Sequence, residues 1–79
     1  MVYCKLKSND GQVLRYAIGG VYNDLTGEIE VNKEDLSYRI IKEPEKSLLY
    51  SRHIESMLAR CKKDYDHGVF KEKIAHEIG

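Results

Sequence analysis

The chain has 79 residues, its 13 Lys and Arg are balanced by 13 Asp and Glu, and 42% of it is apolar. That length fits one small domain, and a net charge of zero excludes a chain that coats nucleic acid or an anionic membrane by its overall field. At this size burial only narrowly exceeds an ordering cost of about 1.5 kcal/mol per residue, so a homodimer that adds buried area is the default expectation.

Met1 to Lys7 alternates polar with apolar residues and lacks the continuous apolar stretch of a signal peptide. No run approaches the roughly 18 apolar residues of a spanning helix, so no membrane is expected as a partner. Cys4 and Cys61 lie far apart, without C-x-x-C spacing and without the density of a disulfide scaffold. A cytoplasmic setting is the expectation.

Period-two alternation runs through the first half and predicts strands with Val2, Cys4 and Leu6 on one face, then Leu14, Tyr16 and Ile18, then Ile29 and Val31, then Leu36, Tyr38 and Ile40. Turn chemistry separates them at Asn9-Asp10-Gly11, at Asp24 to Gly27 and at Asn32 to Asp35. A three-residue loop at Asn9 to Gly11 pairs Leu6 with Leu14, Cys4 with Tyr16 and Val2 with Ile18. A four-residue loop from Asp24 to Gly27 pairs Tyr22 with Ile29 and Gly20 with Val31. A two- or four-residue turn around Glu34-Asp35 sets Val31 opposite Tyr38 and Ile29 opposite Ile40. All three turns agree on one buried face, as an antiparallel meander requires. Gly19-Gly20 reads as a bend or bulge inside a long second strand.

Near Glu43-Pro44 the period becomes helical. Leu49 or Tyr50, Ile54, Met57, Leu58, Cys61 and Tyr65 form an apolar stripe, with Ser47 as N-cap and Gly68 just past the carboxyl end. Arg60 with Asp64 and Lys62 with Asp66 are i, i+4 pairs on the wet side. Phe70, Ile74 and Ile78 then predict a second, short helix that folds back, covers a sheet edge or swaps onto another chain. The expected fold is α+β: a four-stranded antiparallel meander over residues 1–42, and a long and a short helix over 45–78, in one domain spanning 1–79.

No motif in the chain specifies a chemistry. His53, His67, His76, Cys4 and Cys61 lack the spacing of a metal site, and both cysteines fall on core faces. Asp64-x-Asp66-x-Gly68 resembles the opening of a calcium loop, but Val69 stands where the turn glycine belongs and Ala75 where the bidentate glutamate belongs. There is no nucleophile elbow, and Gly19-Gly20 has no phosphate-cradling spacing. Glu28 and Glu30 read as solubilising charges on the outer face of a strand.

One corner of the outer sheet face does have a chemical shape. In the register above Lys5 lies opposite Arg15, with Lys7 and Tyr3 along the same strand, and like charges across a ladder invite an anion. The competing explanation is that strand 1 is an edge, where lysines prevent sheet-to-sheet aggregation; Glu30 opposite Arg39 shows ordinary pairing elsewhere on that face. Six Tyr against one Phe and no Trp suits the rim of a thin core or an interface.

The expected function is a small non-catalytic module that binds protein or itself, with no catalytic residue, metal or cofactor assigned and Phe70, Ile74 and Ile78 as interface candidates. The alternative is nucleic-acid or polyanion binding through Tyr3, Lys5, Lys7 and Arg15.

Overall fold

The computed structural model describes residues 2–21 and 23–76. Five strands and one helix follow in the order β1 (Val2–Asp10), β2 (Val13–Gly19), β3 (Gly27–Asn32), β4 (Tyr38–Lys42), α1 (Ser51–Asp66) and β5 (Lys73–His76). The strands form one antiparallel sheet in the order β4-β3-β2-β1-β5, so the expected four-strand meander is present and β5 is added beside β1.

The first hairpin turns through two residues and not three: Asp10 pairs with Val13, and Gly11 takes a φ of 58° at the first loop position, as a II′ hairpin requires. Carried on unchanged, that register would set Lys7 opposite Tyr16 and turn Leu6 outward. A bulge between Leu6 and Ser8 removes the mismatch, so Leu6 meets Tyr16, Cys4 meets Ile18 and Lys5 meets Ala17. The expected pairs Leu6 with Leu14, Cys4 with Tyr16 and Lys5 with Arg15 are thereby corrected, while the inward face is kept.

The second connection also differs from expectation. Strand β2 ends at Gly19, and Ile18 pairs with Gly27, which leaves a loop over 20–26 where a continued strand with Tyr22 opposite Ile29 was expected. Tyr22 itself lies outside the described residues. The loop is held by Asp24, 2% exposed, whose carboxylate accepts from Thr26 Oγ1 at 2.7 Å, Ser47 Oγ at 2.7 Å and the Lys46 N–H at 3.0 Å. The chain packs so tightly there that a Cβ on Gly19 would stand 1.7 Å from the Asp24 carbonyl oxygen. The third turn keeps the expected pairs, Val31 opposite Tyr38, Ile29 opposite Ile40 and Glu30 opposite Arg39, but Leu36, expected on the fourth strand, lies in the turn at a φ of 60° with its N–H donating to the Asn32 carbonyl.

Helix α1 lies on the inner face through Ile54, Met57, Leu58, Cys61 and Tyr65. These meet Val2, Cys4, Leu14, Tyr16, Ile18, Ile29 and Val31 in one core. Ser47 does not cap the helix, because its hydroxyl donates to Asp24 and accepts from the Gly20 N–H at 2.9 Å; Tyr50 is the N-cap and offers no side-chain bond. The carboxyl end closes as expected, with Gly68 at a φ of 73° and Lys62 Nζ 3.4 Å from Asp66. Asp64 pairs with Lys71 at 3.5 Å.

No helix follows Gly68 among the described residues. Phe70 and Ile74 fit a helical spacing, yet Lys73-Ile74-Ala75 alternates as well, and the open side of β1 offers backbone groups that a second helix would leave unpaired. The segment accordingly adds to the sheet as β5, with Leu6 N–H donating to the Glu72 carbonyl at 2.7 Å. No helix of the described residues is long and apolar enough to cross a membrane.

Candidate binding surface

The helix covers only the inner face of the sheet. Across the outer face the hairpin registers set Ser8 beside Arg15, Arg15 opposite Glu30 and Glu30 opposite Arg39, and the bulge turns Lys7 toward Glu28. The result is a ladder of alternating charge: Lys7 to Glu28 at 2.7 Å, Arg15 to Glu28 at 3.5 Å, Arg15 to Glu30 at 3.7 Å and Arg39 to Glu30 at 3.1 Å. The Lys7 hydrogen bond holds the Glu28 carboxyl below its ordinary value of 4.5. Exposed pairs of this kind stabilise by about 0 to 1 kcal/mol each, so the ladder chiefly neutralises the β1 to β4 part of the face.

The structure therefore divides the four basic-corner candidates. Lys7 and Arg15 converge on Glu28, whereas Tyr3 and Lys5 face the other side, toward β5. There Lys5 stands directly opposite Lys73, and Tyr3 opposite Ala75. Among the described residues neither Lys5 nor Lys73 has an ion-pair or hydrogen-bond partner. The half-buried Leu25, carried over by the loop 20–26, completes a cleft of about 380 Å³ with these four residues, Cys4 and Ile74. The sequence pattern does not single out Lys73 or Leu25 as site residues. The alternation at Lys73 to Ala75 was a usable signal for the first, and nothing local signals the second.

Because β5 covers β1 over Val2 to Lys5, strand 1 is not an edge there, and the edge-guard explanation does not hold for Lys5. The two real edges differ. Strand β4 is irregular, with a register shift between Ile29 and Glu28, and it carries Arg39 and Lys42. Strand β5 is regular over its length, and on its inner side a second cleft of about 290 Å³ opens between it and α1.

Phe70 is committed within the chain, its ring centroid 5.3 Å from that of Tyr65 and 4.5 Å from Lys33 Nζ. Ile74 is half-buried against the core from β5, and Ile78 lies outside the described residues.

The inner face holds a small polar group inside the core. Tyr16 and Tyr65 share a hydroxyl hydrogen bond of 2.6 Å, and Cys4 Sγ lies 3.4 Å from Met57 Sδ. Burial pushes the Cys4 thiol and the Tyr16 hydroxyl up to about 12, and burial, then the Tyr16 bond, raises Tyr65 further. Both cysteines are free and buried. Burial holds these groups protonated, and they pack within the core. Among the described residues no three His, Cys, Asp or Glu side chains come together to hold a metal. No family model, curated protein or solved structure matches the chain.

Proposed function

We propose that this chain is a small non-catalytic module that binds protein through the β1–β5 side of its sheet. The observation that carries the reading is the contrast across one face. From β1 to β4 the charges are mutually neutralised, whereas Lys5 and Lys73 oppose each other over an apolar cleft walled by Tyr3, Leu25 and Ala75. Like charges placed directly across a ladder cost roughly 0.2 to 1 kcal/mol, and a partner that sets a carboxylate against them recovers that cost. An aromatic ring with apolar neighbours and cations at the rim is also the composition of protein interfaces. Two free, buried thiols suit a reducing cytoplasmic setting.

Polyanion binding is the second reading, favoured by one observation: the Tyr3 ring lies next along β1 to Lys5, which opposes Lys73, so an aromatic and two cations line one cleft. Solution mass by light scattering at low and high salt, with nucleic-acid absorbance followed on the purified protein, separates the two. Phosphate contacts give log K a slope of about −0.7 to −0.9 per contact against log salt, and a contact with an acidic protein is weakened by salt as well, so the nucleic-acid absorbance is what decides. A protein free of nucleic acid at low salt supports the first reading; one that carries nucleic acid and sheds it at high salt replaces it with the second.

A further inference from the structure

Resting on the protein-binding reading, we infer that the open edge of β5 receives an acidic, extended peptide segment as a sixth strand. The backbone argument comes first. Leu6 N–H donates to Glu72 C=O, and in an antiparallel pair the hydrogen-bonding direction alternates from residue to residue. The N–H and C=O of Ile74 therefore point to β1, and those of Lys73 and Ala75 point away from it, where β5 has no neighbouring strand among the described residues. The free edge thus offers a regular pattern of donors and acceptors for strand addition.

The side-chain environment completes the site on both faces. A residue added opposite Ile74 would project inward, into the 290 Å³ cleft whose apolar lining is Met57, Cys61, Ile74 and Ala75. Residues on either side of it would project outward, beside Lys73 and within reach of Lys5. The inner cleft is rimmed by Arg60, Lys63 and Lys71, and among the described residues Lys71 is the one with an ion-pair partner, Asp64. The cations on both faces select an occupant that alternates acidic residues with a medium-sized apolar one. They disfavour a second copy of this chain, since an antiparallel β5 register centred on residue 73 or 74 brings the two Lys73 side chains opposite or diagonal to each other.

The probe is a blocked peptide of alternating Glu and Val, about six residues long as strands commonly are, titrated into isotopically labelled full chain. A Lys/Val peptide and a single-stranded oligothymidylate serve as comparisons. Binding of the Glu/Val peptide should move the amide signals of residues 73–76 together with those of Met57 and Cys61. Ala75→Pro removes an outward N–H without breaking an internal bond, and it should weaken binding by about tenfold or more. Lys73→Glu should shift preference to the Lys/Val peptide. Should Ala75→Pro disturb folding, the native chain answers instead: N-methylation of the peptide amides that face β5 should abolish binding, and N-methylation of the alternate amides should not.

Peptide binding that ignores both Ala75→Pro and N-methylation would overturn strand addition while leaving the protein-binding reading in place. Binding of oligothymidylate alone, with shifts at Tyr3 and Lys5, would overturn both. Binding of no probe would overturn the strand proposal and leave the light-scattering result to decide the broader reading. A concentration-dependent dimer that Ala75→Pro dissolves would give the edge to a second copy.

Discussion

The paired hydroxyls of Tyr16 and Tyr65 lie where the helix meets the central strand, and their worth can be isolated. Tyr16 is fully buried and Tyr65 is 8% exposed, and their oxygens are 2.6 Å apart. Tyr16→Phe keeps the ring and opens no cavity larger than one oxygen, so the change isolates a hydrogen bond and the cost of an orphaned partner. That sum is about 1 to 2 kcal/mol, and Tyr65→Phe should lose a similar amount. The Cys61 thiol beside Tyr65 loses its contact in Tyr65→Phe and in the double variant alike, and the mutual bond is lost only once, so the double variant should cost about as much as Tyr65→Phe alone. The resulting coupling is about 1 kcal/mol, which in a domain of this size moves Tm by about 4 to 8 °C. Urea and thermal unfolding of the four proteins by circular dichroism measures it. Single effects that add in the double variant to within about 0.3 kcal/mol would refute the coupling and with it the inference that the pair fixes α1 on β2.

Three further outcomes follow from the same core. Gly19→Ala, whose Cβ would collide with the Asp24 carbonyl, should cost about 3 kcal/mol, whereas Gly11→Ala, strained only by its φ of 58°, should cost about 1 kcal/mol; equal losses in urea unfolding would contradict the packing. Hydrogen bonds from Ser47 and then Thr26 hold the Asp24 carboxyl below its ordinary 3.8, so its share of stability is complete above that value and is lost as pH falls below it. Urea midpoints taken from about pH 5 down to about pH 2 should therefore fall less steeply in Asp24→Asn than in the native chain. With the Cys4 thiol raised from 9.0 to about 12, native protein should resist alkylation at Cys4 until unfolded, and its stability should decline as pH climbs from 9.0 toward 12. Peptide mapping after iodoacetamide treatment reads the first of these, and Cys4 labelling at the rate of a free thiol would count against it.

The faces of the strands were legible because period-two patterning reports which side a residue occupies and nothing finer. In the first hairpin the true inner pairs differ from the expected ones by two residues, and in the second by six, as Leu6 with Tyr16 and Tyr16 with Ile29 show. Even displacements leave every inward residue inward, so the pattern cannot distinguish between them. What fixed the registers was tertiary: the bulge near Lys7 reconciles a two-residue turn with the inner face, and the Asp24 network takes residues 20–26 out of the sheet. The same network claimed Ser47, which is why a residue suited to capping caps nothing. Strand β5 escaped the pattern because four residues barely span two strand periods, and the vacant side of β1 chose between the alternatives. Of the basic corner, Tyr3 and Lys5 were legible from strand 1 alone, while the division from Lys7 and Arg15 required knowing where Glu28 lay.

Lys5 now carries the sharpest distinction between a structural and a binding role. On an edge strand a lysine is explained by the aggregation it prevents. On β1, flanked by β2 and β5, it is not, and it faces Lys73 at the cost of like-charge repulsion. Lys5→Glu replaces that repulsion with an attractive cross-strand pair, so the isolated domain should gain about 0.2 to 1 kcal/mol. The same change reverses the charge beside the cleft, and affinity for an acidic segment should fall. A residue selected for stability would show loss on both measurements, because its replacement would damage the fold that the partner needs. Gain in urea stability together with loss of peptide binding is the signature of a surface shaped for an anionic partner, and a stability loss in Lys5→Glu would return Lys5 to a purely structural role.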